Sequence, residues 1–244
     1  MDEASDQPTA AVAVERPGWR TAVGGALRTR RLLIALEVLF IGFAFILRGL
    51  GVIRNASLLL FLMGWFSLWL RSVGWRGVGL RRPTNWWQTV LLGIAIGIAY
   101  DAADIFAVLP AIRRLTGQAV QLEQFGALRG KFGTLLLLLL LTWVFGAFVE
   151  EMAYRGYALN RIADLFGRSR VAFALSTIAV SSLFGFAHMK QGISGVLDNI
   201  AAGLVFTVLY FVSGRNLWLP VIVHGVVDTT SLVLLYFGLA PNGY

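Results

Sequence analysis

Residues 133–155 read GTLLLLLLLTWVFGAFVEEMAYR, an apolar run that ends in two adjacent glutamates and, four residues after the second, an arginine. A helix that crosses a bilayer needs about 20 mostly apolar residues. No charged residue precedes Glu150 in this stretch. We therefore expect a membrane helix that carries ionisable side chains at one end of its apolar run.

The chain as a whole shares this apolar character. Of its 244 residues, 57% are hydrophobic and 14% are charged, and the mean hydropathy is +0.73. Soluble globular domains carry about 25% charged residues. The composition therefore predicts an integral membrane protein. Cysteine is absent, which excludes a thiol nucleophile, disulfide bonds and cysteine-ligated metal.

Apolar runs bounded by Arg, Gly or Pro predict an all-α bundle of about seven transmembrane helices, within a range of six to eight. The runs fall at about 32–53, 56–70, 87–109, 133–150, 171–188, 194–213 and 217–239. We expect residues 32–240 to form a single transmembrane domain with its catalytic core in 133–239. Residues 1–31 are polar and predict a flexible, basic cytoplasmic tail.

The formal net charge of +8 is interpreted as a topology signal, because the basic residues separate the apolar runs. Cytoplasmic loops of membrane proteins are enriched in Lys and Arg. Most of the 21 basic residues lie on one side when the amino terminus is placed inside the cell. The sequence thus predicts a multi-pass protein of the cell membrane with a cytoplasmic amino terminus. The lipid bilayer is its expected partner, and nucleic acid is not.

Ionisable residues inside a bilayer cost several kcal/mol unless they are paired or hydrated, so they mark function. Glu151 and Arg155 are four residues apart and share one helical face, where they can neutralise each other. Glu150 points about 100° away and keeps its charge for another partner. Gly93 and Gly97, in contrast, predict close packing between helices.

Both histidines of the chain, His188 and His224, lie on apolar runs. His224 and Asp228 are four residues apart and share a helical face. A helical hairpin that turns near Gly167 would place Glu150 and His188 at similar depths. We expect these groups to meet in a wet pocket near the cytoplasmic side, with the hairpin tip, 155–170, projecting beyond the membrane.

One carboxylate and two imidazoles support two kinds of hydrolytic chemistry. Glu150, His188 and His224 are candidate ligands of a Zn²⁺ ion that activates water. Without metal, Glu150 and His188 would deprotonate water while protonated His224, held by Asp228, stabilises the oxyanion. Both routes predict hydrolysis of an acyl bond and are left open.

Three motifs carry a resemblance to a known family. They are Glu150-Glu151-x-x-x-Arg155, Phe184-x-x-x-His188 and His224-x-x-x-Asp228, in this order on successive runs. They resemble those of the CPBP family, which groups the CaaX prenyl endopeptidases with bacteriocin-processing and related bacterial membrane proteins. The resemblance covers about residues 133–239.

The resemblance implies an intramembrane endopeptidase of the metallo- or glutamate type. Glu150 would act with His188 on the attacking water, and His224 and Asp228 would line the oxyanion or metal side. The eukaryotic branch usually has asparagine in place of Asp228. The candidate catalytic residues are Glu150, Glu151, Arg155, His188, His224 and Asp228.

We expect the substrate to be a peptide or small membrane protein that is membrane-associated or secreted. One alternative is a non-proteolytic scaffold or immunity protein of the same family. Another is a serine intramembrane protease that uses Ser194 and His224. Asp101 and Asp104 are interpreted as helix-end or packing carboxylates. The sequence leaves the oligomeric state open.

Overall fold

The computed structural model describes residues 18–126 and 128–239, and within these ranges it contains helices and no strands. The helices are α1 Trp19–Thr29, α2 Arg31–Gly49, α3 Ala56–Leu70, α4 Trp86–Thr116, α5 Phe132–Leu165, α6 Arg170–Ala187, α7 Gly192–Val212 and α8 Trp218–Phe237. In the described residues, the six apart from α1 and α3 are long and apolar enough to cross a membrane. The prediction of an all-α membrane bundle is confirmed.

The helix ends follow from residues that satisfy free backbone groups. The side chains of Asn55, Asn85 and Ser169 each accept a hydrogen bond from the backbone N–H three residues on, which starts α3, α4 and α6. Gly117 and Gly238 follow α4 and α8 with φ of 71° and 69°. This left-handed conformation favours glycine and ends both helices.

Helix α4 runs further than the sequence pattern predicts, to Thr116 instead of about residue 109. Its interior contains a π-helical turn, Asp104–Val108, which ends two residues before Pro110. Proline donates no backbone hydrogen bond and crowds the preceding turn. The wider turn takes up this irregularity, so the helix continues past the proline.

The prediction of a flexible tail over 1–31 is wrong for residues 19–29, which form α1. Apolar residues at helical spacing give α1 one face that packs on the end of α3. A Cβ at Gly24 would collide with the backbone of Leu70. Arg20 donates two hydrogen bonds to the carbonyl oxygen of Trp69, at 3.2 and 2.7 Å. Residues 1–17 lie outside the described residues.

The fourth apolar run also extends beyond its predicted end, since α5 reaches Leu165. The chain turns at Gly167, with φ of 77°, and returns as α6, which is the expected hairpin. The tip, however, is exposed only at its end, since residues 155–163 are buried and residues 166–170 are exposed. Arg155 and Arg161 are both fully buried inside the bundle.

Ion pairs explain the burial of the tip. We call the group of Glu37, Arg71, Arg161, Asp164 and Arg168 the tip network. Arg161 pairs with Glu37 on α2 and with Asp164. Asp164 also pairs with Arg71 at 3.2 Å and with Arg168 at 2.6 Å. Because Arg161 finds charged partners on α2 and on the tip itself, it can be fully buried, whereas Arg168 stays partly exposed.

Helix α8 is held closely against α4. Side chains at Gly93 and Gly97 would overlap with Ile222 and Val226 of α8. The predicted close packing at these glycines is thus present, and α4 contacts the face of α8 that carries Ile222 and Val226.

Candidate active site

A cavity of 350 Å³ lies among α4, α5, α6, α7 and α8. Four of the six predicted site residues line it, namely Glu150, His188, His224 and Asp228. The other two, Glu151 and Arg155, lie directly behind this wall and are fully buried. We call these six residues the cavity cluster. The structure therefore brings together the three predicted motifs from three helices.

The cavity lies toward the end of the bundle opposite the hairpin tip, which differs from the prediction. Its lining includes Val120, Leu122 and Phe125, from the connection between α4 and α5. This connection is tied to the end of α6 by a hydrogen bond from the backbone N–H of Gln121 to the carbonyl oxygen of Gln191, at 3.0 Å. The depth estimate failed because α5 continues ~22 Å beyond Glu150, within the bundle, before it turns.

The buried part of the cluster is centred on Glu151. Its Oε1 accepts hydrogen bonds from Arg155 and from Nδ1 of His224, both at 2.9 Å. Arg155 also donates to the carbonyl oxygen of Gly203 at 2.9 Å and to Thr207 at 3.3 Å. The pairing of Glu151 with Arg155 agrees with the helical spacing. The bond from His224 to Glu151 was not predicted.

Aromatic rings also pack against the side chains of His224 and Arg155. The His224 ring stacks on Phe206, with centroids 4.6 Å apart and 22° between the planes. The Arg155 guanidinium lies over the Phe184 ring at 4.8 Å. Such contacts restrict rotation and favour a positive charge on the face of the ring. Phe184, the first residue of the second motif, therefore helps to hold the Arg155 guanidinium in place.

The second nitrogen of His224, Nε2, lies 3.5 Å from Asp228. Asp228 is partly exposed in the cavity, whereas Glu151 is fully buried. Glu151 is closer to the His224 ring than Asp228 and less exposed to solvent. Glu151 is therefore the main group that orients the ring. Because Nδ1–H donates to Glu151, Nε2 is the nitrogen that can gain or give a proton.

Glu150 has a partner that the sequence did not reveal. Its Oε1 accepts a hydrogen bond from Ser57 on α3 at 3.0 Å, and Ser57 also contacts the Tyr154 hydroxyl at 3.2 Å. Two π-helical turns, Thr142–Val149 and Met152–Ala158, flank the glutamate pair. Such turns are common at functional sites, where they redirect side chains. Glu150 consequently faces the cavity while Glu151 faces the core.

His188 ends α6 and lines the cavity. Its Nδ1 lies 2.9 Å from the carbonyl oxygen of Phe184. A carbonyl oxygen only accepts, so Nδ1 carries the hydrogen and Nε2 has the lone pair. His188 can therefore act as a base through Nε2.

Within residues 18–126 and 128–239, no group of three His, Asp or Glu side chains is arranged to hold a metal ion. Glu150, His188 and His224 line one cavity without converging on a common point. Nδ1 of each histidine is engaged, which leaves only the two Nε2 atoms as nitrogen donors. A zinc ion stays an untested prediction.

Ser194, the alternative nucleophile, is buried away from His224. Its hydroxyl lies 2.8 Å from both the Thr116 hydroxyl and the Gln118 carbonyl oxygen. The nitrogens of His224 face Glu151 and Asp228 instead. These contacts give Ser194 a structural role between α7 and the end of α4.

Three further carboxylates line the cavity, and we call them the acidic wall: Asp101, Asp104 and Asp198. Asp101 and Asp104 are buried, which agrees with their interpretation as packing carboxylates, and they also line the cavity. The three-residue spacing on α4, which puts both on one face, was the available signal. Their proximity to Asp198 on α7 depends on how the helices pack.

The fold and the site together define a multi-pass helical membrane protein with a carboxylate–histidine cavity. Residues 132–230 match the family model of the type II CAAX prenyl endopeptidases, described as Rce1-like. The match spans the whole cavity cluster and less than half of the chain. The resemblance to CaaX endopeptidases is thus confirmed over these residues. No curated protein and no solved structure matches the chain.

Proposed function

We propose that the protein is an intramembrane endopeptidase in which Glu150 and His188 activate water against a peptide bond. The observation that carries this proposal is the cavity itself, which Glu150, His188 and His224 line from three different helices. A carboxylate and a basic imidazole nitrogen beside one space are the groups that general-base hydrolysis requires.

The first step forms the bond between the water oxygen and the carbonyl carbon. Glu150 takes the proton of the water, and Nε2 of His188 orients the water through its lone pair. When the carbon–nitrogen bond breaks, the proton passes from Glu150 to the leaving nitrogen. Ser57 holds one oxygen of Glu150 throughout, which fixes the carboxylate without neutralising it.

His224 stabilises the negative charge that develops on the carbonyl oxygen. Its protonated form donates from Nε2, since Nδ1–H is committed to Glu151. Glu151 favours this protonated ring, and Arg155 balances the glutamate charge. A donor that is oriented before the reaction in a low-dielectric site contributes several kcal/mol to the transition state.

A bound zinc ion would draw on Glu150 and on Nε2 of His188 and His224. When bound, it would supply a more acidic water and polarise the carbonyl group. The steps above use only the chain's own residues.

The substrate class is a peptide or small membrane protein that reaches the cavity within the bilayer. We place the amino terminus in the cytoplasm of a bacterial cell, at the cell membrane. Helix α1 lies at the tip end of the bundle, because Arg161 donates to the carbonyl oxygen of Leu27. The cavity then lies toward the outer side, which suits a membrane-associated or secreted peptide.

The test uses the full-length protein in lipid nanodiscs and a peptide library made by cutting bacterial membrane-fraction proteins after glutamate. Mass spectrometry identifies new peptide ends. We expect new ends with the wild type and with Ser194→Ala, and none with Glu150→Gln or His188→Ala. Activity that persists in Glu150→Gln and disappears in Ser194→Ala would overturn the proposal. An inactive wild type would favour the non-proteolytic alternative.

Removal of metal with a chelator distinguishes the zinc-dependent mechanism from the metal-free mechanism. Zinc is measured in the purified protein by mass spectrometry, and cleavage is repeated after dialysis against a chelator. Zinc that is present in the wild type and absent in His188→Ala supports the metal route. Cleavage that survives complete metal removal supports the route through Glu150 and His188 alone.

A further inference from the structure

The acidic wall lies in the same cavity as the cavity cluster but outside the proposed reaction. Asp101 and Asp104 come from α4, and Asp198 comes from α7. No step of the mechanism uses them. A membrane protein that places further carboxylates in its reaction cavity bears an energetic cost that calls for a physical reason.

Asp104 is the most informative member of the wall. It is 6% exposed, and its Oδ1 accepts no hydrogen bond among the described residues. Its carboxyl group lies near that of Asp198 on α7, and both line the cavity. Oδ1 of Asp198 also accepts no hydrogen bond in the described part of the chain. Two neighbouring carboxyl groups of the cavity wall thus each keep one unused acceptor atom.

Asp101 extends the same surface. It is 3% exposed, and the Ser231 hydroxyl reaches it only at 3.5 Å. Among the described residues that line the cavity, there is no lysine and no arginine. Buried carboxylates with free acceptor atoms are stabilised by a cation. The cavity is therefore complementary to a positively charged group.

The arrangement favours an organic cation over a metal ion. The described residues do not form a metal-binding set of three acidic or histidine side chains. A guanidinium or ammonium group donates several hydrogen bonds and can bridge two facing carboxylates. The lining also includes Val120, Leu122 and Phe125, which can pack on the aliphatic stem of a long side chain.

We propose that the acidic wall binds a lysine or arginine side chain of the peptide substrate and thereby selects peptides with a basic residue beside the bond that is cut. This inference rests on the proposed endopeptidase function, because it assigns a substrate class to the same cavity. Asp104 and Asp198 form the primary contact, and Asp101 adds negative charge. The wall sets specificity and takes no part in bond breaking.

The first experiment measures which bonds are cut. The peptide library described above is treated with the wild type, with the Asp104→Asn/Asp198→Asn double variant and with Glu123→Gln. Glu123 is an exposed acid on the connection between α4 and α5 and does not line the cavity, so it is the matched control. We expect Lys and Arg to be enriched near the cut sites of the wild type and of Glu123→Gln. The double variant should lose this enrichment.

The second experiment measures binding without catalysis. A fluorescent peptide of alanine and leucine with one central lysine is titrated against the Glu150→Gln protein in nanodiscs, beside its norleucine counterpart. We expect the lysine peptide to bind about tenfold more tightly or better. Adding Asp104→Asn and Asp198→Asn should remove this difference and leave the affinity for the norleucine peptide unchanged. That unchanged affinity shows that the variant is folded.

The two experiments separate the possible failures. A wild type that cuts nothing but binds the lysine peptide selectively through the wall contradicts the endopeptidase function and keeps the cation site. A wild type that cuts peptides without a preference for basic residues, and binds both probes equally, overturns the cation site and keeps the endopeptidase. Equal loss of both probes in the aspartate variants would also overturn it.

Discussion

Helix α5 contributes side chains to two charged groups that contain similar residue types and differ in structure. The cavity cluster and the tip network both contain ion pairs between residues three or four positions apart. In the tip network, Asp164 is shared by Arg71, Arg161 and Arg168. In the cavity cluster, Glu151 pairs with Arg155 and His224 lies beside Asp228, whereas Glu150 faces open space.

The two groups therefore have different roles. One stabilises the fold, and the other supplies the reactive side chains. Charges that are fully paired join helices, whereas charges with an unused atom beside a cavity can move a proton. The tip network connects α5 to α2 and α3 and fixes the hairpin. The cavity cluster uses one ion pair to orient His224 and leaves Glu150 and His188 available. Variants that separate stability from activity test this division.

The largest expected effect is on activity in the cavity cluster. Glu150→Gln keeps the shape of the side chain and removes its basicity. We expect kcat/KM for a cleaved library peptide to fall by about 10²–10⁴-fold, the usual contribution of a general base. The free energy of unfolding should not change. A residual rate within a factor of about ten of the wild type would show that Glu150 is not the base.

The next effect is on stability in the tip network. Arg161→Met leaves Glu37 without its partner in a largely buried position. Breaking one side of a buried ion pair costs about 3–5 kcal/mol. We expect chemical denaturation to show this loss, while the exposed control Arg170→Met changes little. Equal stability of the two variants would contradict a structural role for the tip network.

An intermediate effect is expected at Glu151, where the two roles meet. Glu151→Gln weakens the charged hydrogen bonds to Arg155 and His224. Hydrogen bonds to charged groups contribute about 1.5–3 kcal/mol. We expect both the free energy of unfolding and kcat to fall. In Glu150→Gln, by contrast, the free energy of unfolding should not change. A normal kcat in Glu151→Gln would mean that the orientation of His224 does not depend on this carboxylate.

The smallest effect is expected at Ser57, which only holds Glu150. Ser57→Ala removes one hydrogen bond, and such a bond contributes about 0.5–1.5 kcal/mol. We expect kcat to fall by about tenfold or less, with KM and stability nearly unchanged. A fall as large as that of Glu150→Gln would assign Ser57 a direct part in the reaction.

Local pattern predicted much of this molecule. Apolar run length gave the membrane helices, and the spacing of four residues gave the pairing of Glu151 with Arg155. The two glycines of α4 predicted close packing against another helix, which the structure identifies as α8. These features depend on neighbours within one helix or on a single residue type. They can therefore be predicted from the sequence alone.

Contacts between distant segments were not predictable in this way. Arg161 was expected to reach water, but Glu37, far away in sequence, pairs with it inside the bundle. Ser57 on α3 meets Glu150 on α5, and Asp198 on α7 meets Asp104 on α4. Each of these depends on which helices become neighbours and on their rotation. A single sequence contains no local signal for either.

The central claim is that water reaches the cavity cluster inside the membrane and does not reach the buried arginine of the tip network, Arg161. The natural chain has no cysteine, so single-cysteine variants can be labelled with a membrane-impermeant maleimide. Ser231 lines the cavity, Ala163 is buried at the tip, and Leu137 is exposed on the outside of α5. We predict rapid labelling of Ser231→Cys, and slow labelling of Ala163→Cys and of the lipid-facing Leu137→Cys. An unreactive Ser231→Cys in folded protein, or equally rapid labelling of Ala163→Cys, would contradict the account.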